Sequence, residues 1–386
     1  MNSNSESGTQ NSKQIRIGIT GQPGFIGTHL YNYLGLKNDI FKRIPFEDDF
    51  FEDEKLLNSF VSSCDVICHL AAMNRHNDPE VIYATNVGLV KKLIMALEST
   101  NSKPHVLFSS STQEESENLY GKSKRDGRNL FAAWAEKNDT RFTGLVIPNV
   151  FGPFGNPYYN SVVATFCHQL THNEIPHIEV DGNMKLIYVN ELVKVITDRI
   201  FTESDQKIVK YEIPHHYELK VSAILNILKD FKTGYFNNGV IPDIRSQLWL
   251  SLFTTFRCYM PHDKFPVPYK LNTDNRGSFV ELIKANTSGQ TSYSITIPGI
   301  TRGNHYHTRK VERFAVIKGN ARIRLRKTGT PEIIEYFLDG KHPSFVDMPI
   351  WYTHNITNIG DEELFTMFWI NEPYDPADPD TYFEEV

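Results

Sequence analysis

Two groups of residues in this chain have the types and spacing for chemistry. The first is Tyr120-Gly121-Lys122-Ser123-Lys124, preceded by Ser109, Ser110 and Ser111. Tyr120 and Lys124 are four apart, so on a helix they share a face. An ammonium beside a phenol favours the phenolate and lowers the phenol's pKa. Such a tyrosine exchanges a proton with a carbonyl or alcohol near neutral pH. A serine hydroxyl at the end of the preceding strand would donate a hydrogen bond to the same substrate oxygen. Taken alone, a Tyr-x3-Lys spacing also describes an ordinary surface pair, so its meaning depends on its surroundings. The second group lies near the C-terminus. His305 and His307 are two apart, so on a strand they point to one side. Glu312 and His354 would complete a set of three imidazoles and one carboxylate. That set suits one divalent ion among Zn(II), Fe(II), Mn(II) and Ni(II), and zinc fits chemistry without a redox demand.

The first group lies downstream of a nucleotide-binding pattern. A strand over Ile15–Thr20 runs directly into Thr20-Gly21-Gln22-Pro23-Gly24-Phe25-Ile26-Gly27. Gly21 permits the tight turn, Gly24 lets the backbone approach a pyrophosphate, and Gly27 lets the next helix pack closely on the sheet. The pyrophosphate would sit at the positive end of that helix. NAD enzymes usually place an acidic residue at the end of the second strand, against the ribose 2′-hydroxyl. Here Ile40-Phe41 ends in Lys42-Arg43. Two cations there suit a 2′-phosphate, so NADPH is the expected cofactor.

Regular elements must hold these groups in place. Strand candidates Ile15–Thr20, Asp65–Leu70, His105–Ser109 and Arg141–Ile147 alternate with helical patterns, the signature of a parallel α/β sheet. Val87, Val90, Leu93, Ile94 and Leu97 mark one apolar helical face. Residues 160–260 are less regular and mostly helical. After Pro261, Pro266 and Pro268 the texture changes to short strands, Ser292–Ile297, Phe314–Ile317 and Ala321–Leu325, which suggest a small all-β sandwich or barrel. The expected organisation is a disordered tail over residues 1–13, a Rossmann-type doubly wound parallel sheet over 14–265, and an all-β domain over 266–386.

Composition narrows the classes. A chain of 386 residues can bury more than one core. The net charge of -6, with Lys and Arg spread along the chain, argues against a nucleic-acid binder. No apolar run reaches the roughly 18 residues that span a bilayer, and the polar start MNSNSESGTQNSK shows no signal peptide. Cys64, Cys68, Cys167 and Cys258 form no CxxC pair. Cys64 and Cys68 flank an apolar strand and read as small buried hydrophobes. Few cysteines fit a reducing cytoplasm.

Several motifs occur in a telling order. The TGQPGFIG turn, His69-Leu70-Ala71-Ala72 after the third strand, Asn86 in the next helix, the serines, YGKSK and Pro148-Asn149-Val150-Phe151-Gly152-Pro153 resemble the extended short-chain dehydrogenase/reductases. The resemblance covers roughly residues 15–260. It implies a Rossmann fold that binds NADP through Gly21, Gly24, Phe25, Ile26, Gly27, Leu70, Ala71, Ala72, Asn86, Tyr120 and Lys124. It implies catalysis by Tyr120, Lys124 and a serine, with substrate contacts from Asn74, Arg75 and Asn149. The segment between the serines and Tyr120 is shorter than usual in that family, which leaves Ser110 and Ser111 as alternatives.

Gly299-x5-His305-x-His307-x4-Glu312-x6-Gly319 and Pro349-x-Trp351-x2-His354-x3-Asn358 resemble the two cupin motifs, with Trp351 in place of a glycine. Asp274-Asn275-Arg276-Gly277-Ser278-Phe279-Val280-Glu281 and Thr301-Arg302-Gly303-Asn304-His305-Tyr306 resemble the dTDP-4-keto-6-deoxyhexose 3,5-epimerases. In that family the histidine before the tyrosine is the base and the arginines bind the nucleotide-sugar, a role that would fall to Arg276 and Arg302. His305 cannot be both base and metal ligand, because a coordinated imidazole has lost its lone pair. Metal-bound hydroxide or Lys310 then ranks above Tyr306, which should point away from the metal side of the strand. Arg309 stays protonated and is a poor base.

The tail Pro373-Tyr374-Asp375-Pro376-x-x-Pro379-Asp380-Thr381-Tyr382-Phe383 and the segment Asn160-Ser161-Val162-x-Ala164-Thr165-Phe166-Cys167 resemble fused reductase–cupin enzymes of capsular polysaccharide synthesis. That resemblance implies a role in making UDP-N-acetyl-L-fucosamine. The cupin would epimerise carbon 3 of a UDP-4-keto-6-deoxy-N-acetylhexosamine. The reductase would reduce the carbon 4 ketone with NADPH to UDP-2-acetamido-2,6-dideoxy-L-talose. Cupins often pair through their sheets, so a homodimer is expected. Two alternatives stand beside this reading. One is a related nucleotide-sugar dehydratase or decarboxylase, although no Asp-Glu pair stands beside the serines. The other is a reductase whose cupin only dimerises or binds sugar.

Overall fold

A computed structural model describes residues 14–386 apart from 203, 204, 276 and 373. The tail expected over residues 1–13 lies outside the described residues. In chain order the first elements are β1 (Ile15–Thr20), α1 (Phe25–Gly35), β2 (Phe41–Ile44), α2 (Glu54–Ser63), β3 (Val66–His69), α3 (Pro79–Ser99), β4 (His105–Ser111), α4 (Leu119–Lys137) and β5 (Phe142–Ile147). Then come β6 (Asn149–Phe151), α5 (Val162–Thr171), β7 (Asn183–Tyr188), α6 (Val189–Phe201), β8 (Ile208–Glu212), β9 (Tyr217–Lys220), α7 (Val221–Asp230) and α8 (Gln247–Arg257).

The chain divides into two compact units. The first runs through Phe151 and adds Tyr159–Ser161 and Met184–Glu218; the second is Gly152–Tyr158, Val162–Asn183 and Leu219–Val386. Residue 265, the expected end of the first domain, falls inside the second unit.

The first unit is built on a parallel sheet ordered β2-β1-β3-β4-β5-β8. Strand β1 pairs with both β2 and β3, so the winding direction reverses there. In such sheets ligands bind beyond the carboxyl ends of those strands. Strands β3 and β5 are buried along their whole length, as parallel strands covered on both faces must be. One apolar layer joins Phe60, Leu93, Leu97, Phe108, Phe131 and Trp134, and another joins Leu30, Leu34, Leu145, Leu192 and Ile196. The expected helical face is the buried face of α3, with Val87, Val90, Leu93 and Leu97 inside. Asp78 caps that helix by accepting from the Glu80 amide, and Pro79 opens it. Cys64 and Cys68 are buried free thiols, pushed up to about 12 by burial.

The second unit contains β10 (Val267–Pro268), β11 (Asn272–Asp274), β12 (Gly277–Phe279), β13 (Gln290–Thr296), β14 (Thr301–Tyr306), β15 (Glu312–Lys318) and β16 (Asn320–Lys327). It continues with β17 (Ile333–Asp339), β18 (Ser344–Met348), β19 (Tyr352–Asn358), β20 (Leu364–Ile370) and β21 (Tyr382–Phe383). Two five-stranded sheets, β10-β18-β15-β20-β13 and β17-β16-β19-β14-β21, give the cupin fold. The core takes Phe314, Val316, Val346 and Met348 from one sheet and Ile323, Leu325, Leu338 and Ile356 from the other. On β16, Ala321, Ile323 and Leu325 are buried while Arg322, Arg324 and Arg326 between them are partly exposed, the alternation of a half-buried strand.

The helical stretch before residue 260 is tied to these sheets by a buried polar network. Arg313 grips Asp347 at 2.7 and 2.9 Å, and the Tyr235 phenol donates to the same carboxylate at 2.5 Å. Arg257 of α8 donates to the Tyr235 oxygen at 3.2 Å and to the Met348 carbonyl at 2.7 Å. The four side chains are buried, and a buried ion pair that loses a partner is strongly destabilised.

Candidate functional site

The glycine turn has the shape of a dinucleotide cradle. Gly21 sits at φ 70°, and a Cβ there would lie 2.7 Å from the Ala71 backbone. A Cβ on Gly27 would lie 2.2 Å from the Gly21 carbonyl oxygen. No side chain caps α1 at Gly24, so the first-turn amides, beginning at Phe25 and Ile26, are left for an anion. Leu70 and Ala71 carry β3 past this turn, donating to the Thr20 carbonyl at 3.1 Å and to the Thr20 hydroxyl at 3.4 Å, and Ala72 follows. A nicotinamide dinucleotide therefore fits the residues present.

Lys42 and Arg43 lie within β2 rather than beyond its end, because that strand starts at Phe41 and ends at Ile44. Lys42 is exposed. The Arg43 guanidinium donates to the Tyr31 carbonyl at 3.1 Å and lies 4.2 Å from the centroid of the Tyr31 ring. Asn86, expected at the cofactor, is buried and spends its amide on protein. It accepts from Met73 N at 2.7 Å and donates to Met73 O and Ser123 Oγ, both at 3.0 Å. It positions the loop after β3 against α4.

Around Tyr120 and Lys124, strand β4 extends to Ser111 and the serines separate. Ser109 receives the Lys124 ammonium on its carbonyl at 2.9 Å. Ser110 donates at 2.6 Å to Glu114, a buried carboxylate also held by Arg128 and Lys210, each at 3.0 Å. Burial pushes Glu114 up, but bonds from Ser110, Lys210 and Arg128 outweigh it and leave the carboxyl below its usual range. Ser111, whose hydroxyl accepts from Gln113 N at 3.2 Å, is the serine that acts on Tyr120, opposing the rise of its phenol. The short connection closes because Gly121 lacks a side chain: a Cβ there would lie 1.9 Å from the Gln113 carbonyl oxygen.

Burial pushes the Tyr120 phenol up to about 12, with Tyr159 adding to the shift and Ser111 opposing it. The expected depression by Lys124 is not seen, because that ammonium is drawn to Ser109 and lies 5.7 Å from the Tyr120 ring centroid. Burial lowers Lys124 itself to about 8. Asn74 and Arg75 meet at Tyr159: Asn74 N donates to its hydroxyl and Arg75 to its carbonyl, both at 3.2 Å. Tyr159 was missed in the sequence; its only signal was its place shortly after the Pro148–Pro153 motif. Asn149 stands exposed on β6 and donates to the Lys185 carbonyl at 3.3 Å, with no described contact to Tyr120.

In the cupin unit, His305, His307, Glu312 and His354 converge, each offering a ligand atom within 4.8 Å of the others. His305 and His354 are direct partners across β14 and β19. Gly303 makes that approach possible, since a Cβ there would lie 2.8 Å from the His354 carbonyl oxygen. Glu312 Oε2 lies 3.1 Å from both His307 Nε2 and His354 Nε2. His354 Nε2 is buried and out of line for a hydrogen bond. Tetrahedral zinc bonds of about 2.0–2.1 Å would set ligand atoms about 3.3 Å apart. The cluster therefore fits a divalent ion. Burial first, then His354 and His307, lowers His305 to about 4. Burial pushes Glu312 up, but His307 and His354 outweigh it and keep the carboxyl well below its usual range. A neutral imidazole and an ionised carboxylate are the ligand states a metal needs.

Lys310 is buried, with Nζ donating to the Pro379 carbonyl at 2.7 Å, and no described contact joins it to the four ligands. Tyr306 stacks on Trp351 and Tyr382, with centroids 5.6 and 5.4 Å away. Arg309 pairs with Glu372 and Asp378. Arg302 is exposed and donates to Thr296 Oγ1 at 3.1 Å; Arg276 lies outside the described residues. Trp351 stands at φ 60°, in the left-handed region where the cupin motif has glycine.

Comparisons with known proteins bear on both units. Residues 17–211 match the NAD dependent epimerase/dehydratase family, and residues 272–382 match the polysaccharide biosynthesis C-terminal domain. The chain is 32% identical over 371 residues to the UDP-2-acetamido-2,6-beta-L-arabino-hexul-4-ose reductase of Pseudomonas aeruginosa, covering 95% of this chain and 98% of the relative. A crystal structure of the capsular polysaccharide assembling protein CapF from Staphylococcus aureus aligns with TM-score 0.61 and 35% identity, covering 96% of this chain and 100% of that one. A UDP-glucose 4-epimerase from Thermotoga maritima, 20% identical with TM-score 0.51 over 57% of this chain and 83% of that one, shares the fold. The chain thus belongs to the NAD dependent epimerase/dehydratase family, in the CapF-like branch that carries a polysaccharide biosynthesis C-terminal domain.

Proposed function

We propose that this chain is a bifunctional enzyme of UDP-N-acetyl-L-fucosamine and capsular polysaccharide synthesis. Its cupin epimerises carbon 3 of a UDP-4-keto-6-deoxy-N-acetylhexosamine, and its reductase unit reduces the carbon 4 ketone to UDP-2-acetamido-2,6-dideoxy-L-talose. One observation carries the reading: a Ser111-Tyr120-Lys124 group and a three-histidine, one-carboxylate cluster occur in one chain, and both suit the same ketone. The name of the Pseudomonas relative supports a UDP-linked acetamido 4-ulose as substrate. The enzyme acts in the cytoplasm as a homodimer.

The proton on carbon 3 is acidic because its loss gives an enolate with carbon 4. A divalent ion, zinc in our reading, held by His305, His307, Glu312 and His354, would supply the positive charge that favours this enolate. Lys310 is our candidate for moving the carbon 3 proton. In the reductase unit Tyr120 donates its proton to the carbon 4 oxygen, Ser111 holds that oxygen, and Lys124 places positive charge beside them. The Gly21–Gly27 turn and Lys42 would hold NADPH, which would supply the hydride when bound. Asn74, Arg75 and Asn149 contact the sugar nucleotide on this side, and Arg276 and Arg302 do so in the cupin.

The test is incubation with the UDP-4-keto-6-deoxy-N-acetylhexosamine in deuterated water, with and without NADPH, followed by NMR. Deuterium should enter carbon 3 without NADPH, and with NADPH the talo product should appear carrying it. Reduction without any exchange would make the cupin a dimerisation or sugar-binding module.

A further inference from the structure

We propose that Asp380, in the C-terminal tail, is the positioning residue that shapes the metal-ligand loop, so that the tail sets how tightly the divalent ion is held. This rests on the metal reading above. The loop from His307 to Glu312 contains Thr308, Arg309, Lys310 and Val311 and belongs to no strand. One carboxylate gathers its backbone amides. Asp380 Oδ1 accepts from Thr308 N at 3.1 Å and from the Thr308 hydroxyl at 2.6 Å. Oδ2 accepts from Arg309 N at 3.0 Å and from Lys310 N at 3.1 Å. Successive backbone N–H groups turned to one point make an anion-binding concavity. Here its anion is supplied from about 70 residues along the chain.

Asp380 is 1% exposed and stands at φ 39°, a region that aspartate enters more readily than most residues. Its own carbonyl accepts from His307 Nδ1. That bond fixes the tautomer and turns Nε2 to its place 3.1 Å from Glu312 Oε2. A single tail residue therefore orients one ligand and folds the loop that leads to the next. Its neighbours act in the same sense. Pro379 O receives the Lys310 ammonium, and Tyr382–Phe383 pair with β14 alongside His305 and Tyr306. Asp378 pairs with the Arg309 guanidinium but is itself exposed, with no described contact to the Asp380 carboxylate or a ligand, so it contributes little and serves as a control.

The experiment measures zinc affinity of the full chain by competition with a chromogenic chelator. The proteins are wild type, Asp380→Asn, Thr308→Val and Asp378→Asn, with melting temperature and nicotinamide cofactor binding recorded for each. Asp380→Asn turns an acceptor oxygen into an amide donor facing N–H groups. It should weaken zinc about 10–100-fold, the usual range for losing an outer-shell partner, and leave cofactor binding unchanged. Thr308→Val removes one donor and keeps the backbone nest, so a few-fold loss is expected; Asp378→Asn should match wild type. Unchanged zinc affinity in folded Asp380→Asn overturns the proposal. If that variant does not fold, unchanged affinity in Thr308→Val overturns it. An equal loss in Asp378→Asn also overturns it, because the tail would then act only as general support. Wild-type protein that takes up no zinc would overturn the metal reading instead.

Discussion

The two sites are assembled on different plans. In the reductase unit, Ser111, Tyr120 and Lys124 belong to one strand-to-helix connection, and β4 and α4 carry them as a block. In the cupin unit the ligands come from β14, the residue after it, β15 and β19, and Asp380 of the tail reaches back to His307. A locally encoded site should survive changes elsewhere in the fold and fail only at its own side chains. A site closed by distant segments should respond to groups that never meet substrate.

The largest expected effect is Glu312→Ala, which removes the only carboxylate from the described cluster. Metal content by elemental analysis should fall from about one equivalent to background, with loss of carbon 3 deuterium exchange, while NADPH oxidation with pre-epimerised substrate continues. Metal retained in full would break the comparison. Next is Tyr120→Phe. Loss of the proton donor should slow NADPH oxidation by about 10²–10⁴-fold and leave exchange at carbon 3 intact. Loss of both activities in a folded variant would show that the two plans are coupled.

A sharper contrast lies within the reductase site. Ser111→Ala should lower turnover by about 10²–10³-fold, the usual cost of one oxygen-stabilising donor. Ser110→Ala should lower it by less than about tenfold, because Glu114 keeps Arg128 and Lys210 as partners. The reverse ranking would mean that Ser110 leaves Glu114 when substrate binds. The smallest effect concerns cofactor choice. Lys42→Ala should reduce the preference for NADPH over NADH roughly fivefold, as expected for an exposed charge contact. Arg43→Ala should do less, since that guanidinium is engaged with Tyr31. Equal titration curves for both cofactors in wild type would remove the role given to Lys42.

Much of the architecture was legible because it depends on neighbours in sequence. Apolar runs marked β1, β3, β4 and β5, and 3.6-residue periodicity marked the buried face of α3. The glycine turn was legible because its backbone conformation needs residues without a Cβ. The two-residue spacing suggested a common side for His305 and His307; only His305 lies on β14, His307 follows its end, and the fold brought Glu312 and His354 to them. Other features could not be read this way. Serines one residue apart point to opposite sides of β4, so the choice between Ser110 and Ser111 depended on where Glu114 and Tyr120 lay around them. Nor did the position of Asn86 reveal that its amide is held between Met73 and Ser123, which only the fold brings to it.

The residues themselves determined the parallel sheet, the nucleotide turn, the Tyr-Lys helix face and the histidine pair, because each is a pattern of a few residues with its own local physics. Only the tertiary structure decided that the helices around Tyr235 and Arg257 pack with the cupin sheets, that Tyr159 closes on Asn74 and Arg75, and that Asp380 organises the metal-ligand loop. Those contacts join segments far apart in the chain. Closing such distances costs chain entropy that no short pattern reveals, and it is offset only by the buried hydrogen bonds and ion pairs formed when the whole unit folds.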